Sequence, residues 1–202
     1  MLAGMPKPDI HRLIDLQKLL LEFQAIDRAL YIPGRGERHE NDIEHSYNLA
    51  MTAWFLAQHF PELDRGEVIR CALAHDMVEI HAGDTMIFHN PEGMATKKDR
   101  ETAALQKLAE DWADFPDLLE TLHRYEARES AEARFVYALD KVMPAIMNYL
   151  QGGEVWRKHQ VSLADLHELK DAKVALSPQV LPYYHELMAL LEANPQLFNE
   201  NI

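Results

Sequence analysis

Cysteine is almost missing from this chain. Of 202 residues only Cys71 carries a thiol, so no intrachain disulfide is possible, as in proteins of reducing compartments. Long apolar runs are missing as well. No stretch approaches the ~18 consecutive apolar residues of a membrane span, and Met1 to Asp9 lacks the apolar centre of a secretory signal. The expectation is a cytoplasmic protein with no membrane partner. Positive charge is in the minority, with 20 Lys and Arg against 33 Asp and Glu and a net charge of -13. No basic face of the kind that holds a nucleic-acid polymer is visible. A small phosphorylated ligand stays open, because one metal ion and a few arginines can make a local positive pocket in an acidic protein. Internal repeats, low-complexity segments and alternating strand patterns are also lacking.

What is present is helical. Hydrophobic residues make up 48% of the chain, enough for a full core at about the size of one domain. From Ile10 to Ala29, Leu13, Ile14, Leu16, Leu19, Leu20, Phe23 and Ile26 recur at about 3.6-residue spacing. Tyr31 to His39 holds Pro33, Gly34 and Gly36 and reads as a loop. Asn41 or Asp42 can cap a second helix, Ile43 to His59, whose core side is Leu49, Ala50, Ala53, Trp54 and Leu56. After the turn Pro61 to Asp64, a third helix runs from Arg65 to His81, in which Cys71 reads as a small buried hydrophobe. Gly83 to Met94 is expected to be a loop, followed by an amphipathic helix Ala95 to Trp112 and a short helix from Pro116 to Arg128. Glu129 to Leu150 places Phe135, Val136, Leu139, Val142, Met143, Ile146 and Met147 on one side, and Gly152-Gly153 ends it. Ser162 to Asp165 resembles a capping box with Asp in place of Glu, and Ser177-Pro178 reads as a cap with proline at the first helical position. The last helix ends near Asn194-Pro195. The expected architecture is one all-α domain, a helical bundle over residues 1–202.

Three polar sites interrupt the apolar helix faces: His45, the pair His75-Asp76, and Asp140 between Leu139 and Lys141. A buried carboxylate without a partner is unfavourable by several kcal/mol, of the order of 2–7 even for milder polar groups. Each site taken singly has a plain structural explanation. A histidine in an apolar helix is commonly hydrogen-bonded in the core, and Asp140 can pair with Arg134 or Arg38. Taken together, two histidines and two aspartates from three helices form a mixed nitrogen and oxygen donor set, suited to Mn²⁺, Co²⁺, Fe²⁺, Zn²⁺ or Ni²⁺.

The order His45, His75-Asp76, Asp140 resembles the H…HD…D signature of the HD-domain metal-dependent phosphohydrolases. Glu40-Asn41-Asp42-Ile43-Glu44-His45-Ser46 resembles the first-histidine motif of their 5'-deoxynucleotidase branch. His75 to Asp84 resembles its second motif, HDxxExxxGD, and Ser130 to Lys141 its third. The resemblance covers roughly residues 10–150; from Gly152 onward no motif matches. It implies an HD-domain bundle with one divalent ion (Mn, Co, Fe, Zn, Ni or Mg) on His45, His75, Asp76 and Asp140. It also implies hydrolysis of a deoxynucleoside 5'-monophosphate and a homodimeric assembly. By the same resemblance Glu79 is the general base, and Asp84 acts on the leaving-group or ribose side. An arginine upstream of the first motif is implied to hold the phosphate. Arg28 is the better positional match and Arg38 the other candidate, since arginine can donate two parallel hydrogen bonds to phosphate oxygens. The sequence departs from the family there, with Arg28-Ala29-Leu30-Tyr31 where a tryptophan-bearing stretch is usual.

Competing readings are an HD hydrolase of nucleotide di- or triphosphates, a cyclic-dinucleotide hydrolase (no GYP tripeptide is present), a di-iron oxygenase drawing on His81, His89 and Asp84, and a non-catalytic metal-binding regulator. Retention of Glu79 and Asp84 beside the four ligands argues against the regulator. His81 lies six residues after His75, which excludes the HExxH zinc-protease spacing.

Overall fold

The computed structural model describes residues 7–83 and 91–199. Helices dominate, as the apolar periodicity predicts. Helix α1 (Ile10–Gln24) starts at Asp9, whose side chain accepts a hydrogen bond from the Arg12 amide. It ends five residues before the expected boundary. Asp27–Tyr31 instead forms a strand, β1, antiparallel to β2 (His39–Asn41) with an irregular register. A five-residue strand with only Leu30 and Tyr31 buried has no room for a readable alternation, which is why the sequence shows none. The expected loop closes this hairpin, with Gly34 and Gly36 at positive φ.

Helix α2 (Asp42–Ala57) is capped by Asn41 in a capping box with Glu44. The Asn41 side chain accepts from the Glu44 amide at 3.0 Å, and Glu44 accepts from the Asn41 amide at 3.2 Å. The Asp42 amide also donates to the Ile26 carbonyl at 3.1 Å, so the site-bearing helix is tied to the end of α1. Leu49, Ala50 and Ala53 are buried as expected. Trp54 is not: it is 52% exposed, on an outward face shared with Tyr47, Met51 and Phe55.

The expected single helix from Arg65 to His81 is interrupted. Helix α3 (Arg65–Ala74) runs under an Asp64 cap, residues 75–78 form a turn, and α4 (Glu79–Ala82) follows. In the turn the amides of Met77 and Glu79 donate to carbonyls three residues back, at 3.0 and 2.8 Å. Helix α5 (Pro91–Asp111) begins inside the segment expected to be loop, with proline at its start. Then come α6 (Pro116–Ala127), ended by Arg128 in a left-handed conformation, and α7 (Ala131–Leu150), capped by Ser130. Short α8 (Glu154–Lys158) precedes α9 (Leu163–Val174), where the Ser162–Asp165 capping box forms as read. Helix α10 (Leu181–Glu192) starts later than expected. Ser177 accepts from the Val180 amide in the preceding turn, and the proline of the first helical turn is Pro182, not Pro178.

Two apolar clusters carry the packing. The larger joins α2, α3, α7, α9 and α10 through Leu49, Val68, Phe135, Leu139, Leu166 and Tyr184. The smaller joins α1, the α3–α4 turn, α5 and α6 through Phe23, Met77, Val78, Leu108 and Trp112. Tyr184, Leu187 and Leu191 of α10 complete the larger cluster. His75-Asp76 sits where the two clusters meet: Cys71 and Ala72 belong to one, Ala74 and Met77 to the other. Among the described residues no helix is long and apolar enough to cross a membrane.

Candidate metal centre

His45 on α2, His75 and Asp76 in the turn after α3, and Asp140 on α7 converge. In a continuous helix neighbouring side chains diverge by about 100°. The turn at residues 75–78 removes that constraint and lets His75 and Asp76 face the same point. Asp140 Oδ1 lies 3.0 Å from His45 Nε2 and 3.7 Å from His75 Nε2. Asp76 Oδ2 lies 3.0 Å from His75 Nε2 and 4.0 Å from His45 Nε2. Two donors on one ion at ~2.1 Å each can be at most ~4.2 Å apart, and these separations fall within that limit.

The donors are oriented as well as gathered. His75 Nδ1 donates to the Ala72 carbonyl at 2.9 Å, which leaves Nε2 as the lone-pair nitrogen facing the cage. That Nε2 is buried and has no hydrogen-bond partner, because Asp76 is near it but off the ring's donor direction. His45 differs: its Nε2 is 3.0 Å from Asp140 Oδ1, and its Nδ1 faces Glu40 Oε2 at 3.6 Å, an ion-pair rather than a hydrogen-bond distance. Glu40 is 1% exposed and also accepts from Asn48 Nδ2 at 3.2 Å. A buried, unpartnered imidazole nitrogen between two carboxylates fits a divalent cation.

The electrostatics agree. Burial disfavours ionised Asp76 and Asp140, yet both are held well below the usual carboxylate range. His75 and Arg28 do this for Asp76, and Lys141 with the two histidines for Asp140. Burial also disfavours charging His75, but the two aspartates outweigh it and push the imidazole up to about 10. The carboxylates thus demand a cation, and a metal ion taking His75 Nε2 would displace that proton. Arg28 Nη1 donates to Asp76 Oδ2 at 2.8 Å and to Asp42 Oδ1 at 3.0 Å. Lys141 Nζ donates to Asp140 Oδ2 at 2.6 Å.

Asp76, Asp140, His75, Arg28 and Glu79 all line a cavity of about 270 Å³. Glu79, buried at the start of α4, groups with Asp42 and Asp76. Arg38 is elsewhere: it pairs with Glu44 and lines a different groove with Ile32 and Tyr47. Asp84 and His89 lie outside the described residues, and His81 is exposed. Glu40, Asp42 and Lys141 are close to the cage but were given no role from sequence. The available signal is membership of a motif word: Glu40 and Asp42 precede His45 by five and three residues, and Lys141 follows Asp140. Lys170 of α9 also lines the cavity, buried, with its Nζ donating to the Lys141 carbonyl at 2.7 Å. No sequence pattern marks it.

This arrangement belongs to a known class. Residues 23–180 match the HD-domain family, and the chain belongs to that family. Within it, the chain is 29% identical over 132 residues to the human 5'-deoxynucleotidase HDDC2, covering 64% of this chain and 63% of that protein. The Xenopus laevis protein of the same name is 31% identical over 134 residues, covering 64% of each. The chain thus matches a little under two thirds of these relatives' length. A crystal structure from Magnetospirillum magnetotacticum MS-1, described as a "predicted metal-dependent phosphohydrolase", is similar with a TM-score of 0.75 and 30% identity, over 97% of this chain and 100% of that one. A conserved hypothetical protein from Pyrococcus furiosus shares the fold, with a TM-score of 0.63 and 21% identity over 89% of this chain and 99% of that one.

Proposed function

We propose that this protein is a metal-dependent phosphohydrolase that releases phosphate from deoxynucleoside 5'-monophosphates. The observation that carries the reading is the convergence of His45, His75, Asp76 and Asp140, the last three at the wall of a cavity that also holds Arg28 and Glu79. The names of the relatives support the choice of substrate.

His45, His75, Asp76 and Asp140 would hold one divalent ion. Such an ion offsets phosphoryl charge and makes water a better nucleophile at neutral pH. The protein's own residues do the rest. The Ala72 carbonyl fixes the His75 imidazole with Nε2 toward the cage, and the Glu40 charge, 3.6 Å from His45 Nδ1, favours the proton on that nitrogen of His45. Arg28 holds Asp76 in place and puts a permanent positive charge at the cavity wall. Glu79 accepts the proton of the attacking water as the new P–O bond forms. The ester P–O bond to the sugar breaks, and the leaving alkoxide is protonated. By the family resemblance Asp84, outside the described residues, would act on this leaving-group or ribose side. Tyr125, stacked edge-on to His75 at 5.6 Å, stays neutral: burial and the two aspartates push its hydroxyl well above its usual range.

The test is phosphate release by chelator-stripped protein given Mn²⁺, Co²⁺, Mg²⁺, Zn²⁺ or Fe²⁺ singly, over ribo- and deoxyribonucleoside 5'-monophosphates. Release restored by at least one metal and lost in Asp76→Ala is expected. Absence of release from every monophosphate, with metal demonstrably bound, would overturn the reading.

A further inference from the structure

We infer that the cavity carries a second anion subsite, built by Lys97, Arg128, Lys141, Lys170 and Lys173, which recognises a second phosphate or carboxylate on the alcohol half of the substrate. The inference rests on the phosphomonoesterase reading and deepens it. These cations come from four separate parts of the fold: α5, the end of α6, α7 and α9. All five line the same cavity as the cage. Arg128 and Lys141 both approach the Tyr137 ring, at 4.3 and 5.0 Å from its centroid. Lys170 reaches the Lys141 carbonyl, and Lys173 follows Lys170 by one helical turn.

Charge makes the wall informative. The chain as a whole is strongly acidic, yet six cationic side chains line this cavity against five carboxylates. Of those carboxylates, Asp76 and Asp140 belong to the cage and Glu79 to the proton step. That leaves Glu101, 3.2 Å from Lys97, and Glu126, 3.6 Å from Arg128. Among the described residues Lys170 and Lys173 have no carboxylate partner within ion-pair distance, and Lys170 is 5% exposed. Gathering like charges in a walled cavity is unfavourable unless an anion enters. The cleaved phosphate already has the ion and Arg28. The lysines therefore exceed what a monophosphate uses and match a ligand with a second anionic group.

The experiment compares 2'-deoxyadenosine 5'-monophosphate, its 3',5'-bisphosphate and a carboxylate-bearing sugar phosphate as substrates of the metal-loaded enzyme. A KM at least about ten-fold lower for one of the two doubly anionic compounds is expected, and which one it is names the second group. In Lys173→Gln, at a half-buried position, that preference should shrink to about two-fold, and Lys170→Met should act in the same direction. Calorimetric binding of the same compounds to Mn²⁺-loaded Glu79→Gln protein gives the rank order without turnover. Preference in binding but no phosphate release by the wild type would sink only the phosphomonoesterase reading. Wild-type affinities within two-fold of one another, no detectable binding of any of them, or a preference that survives Lys173→Gln would overturn the second subsite.

Discussion

Glu40→Gln isolates the part of the site that no sequence motif assigned a role. The substitution keeps the side-chain volume and keeps an oxygen to accept from Asn48 Nδ2, so the local fold has its partner. It removes the negative charge 3.6 Å from His45 Nδ1 and puts an amide donor there in place of a carboxylate acceptor. The His45 proton is then favoured on Nε2, the atom that faces Asp140, and a protonated Nε2 cannot donate a lone pair to an ion. Loss of such a supporting contact typically weakens metal binding about 10–100-fold. Because the tautomer itself is inverted, the upper part of that range is expected, which is about 2–2.7 kcal/mol. The assay is competition of each protein against a chelating dye for Mn²⁺ and Zn²⁺, with thermal unfolding of the metal-free forms as the control. Metal-free stability should fall slightly, because His45, Arg28 and Asn48 hold the Glu40 carboxyl below its usual range against burial, and that favourable charge is lost. Affinity within two-fold of the wild type would refute the argument that Glu40 sets the His45 tautomer.

Other perturbations reach different parts of the molecule. Saturating the cage at 100 times Kd should stabilise the protein by about 2.7 kcal/mol, raising Tm by roughly 5–11 °C for a chain of this size; Asp76→Ala should abolish the shift, and an equal shift in that variant would disprove the assigned ligand. Burial and the neighbouring Lys141 bring Lys170 down to about 7 from an ordinary 10.5. Between these values the unfolded state binds more protons, so stability should rise with pH from about 7 toward 10 and be lowest below 7. In denaturant titrations Lys170→Met should flatten that rise, and an unchanged slope would contradict the burial of the charge. Gly153→Ala should cost more than about 2 kcal/mol, because φ is +75° and an added Cβ would lie 2.0 Å from the Leu197 carbonyl oxygen. Gly152→Ala, at φ +71° with open space around it, should cost only about 1 kcal/mol; equal Tm losses would refute the steric argument.

The helical periodicity of α7 was legible because its stripe, Phe135 to Met143, is long and faces one core. The cage was legible because its ligands sit as polar residues in apolar helices. The hairpin was not, since β1 is too short to alternate and is fixed by packing of Leu30 and Tyr31 against Val155. Nor was the break after Ala74. No glycine or proline marks it, and it is stabilised by tertiary packing of Met77 and Val78 against the second cluster. The exposure of Trp54 was not legible, because an exposed tryptophan has the same helical spacing as a buried one. Lys170 stayed hidden because, between Glu168, Asp171 and Lys173, a lysine in α9 has the look of a solvated charged face.

The distances along the chain between the cage residues have a topological consequence. His45 and Asp140 are 95 residues apart in sequence and touch through the cage. An ion held by both would close that loop much as a covalent bridge does, in a chain whose lone cysteine cannot make one. A cross-link over ~100 residues restricts the unfolded chain by about 4.7 kcal/mol in the chain-entropy treatment. The ion would also span the junction of the two apolar clusters, since His75 sits between them. Loading would therefore oblige the two halves of the core to unfold together, and stripping the metal would let α1, α5 and α6 open ahead of the rest.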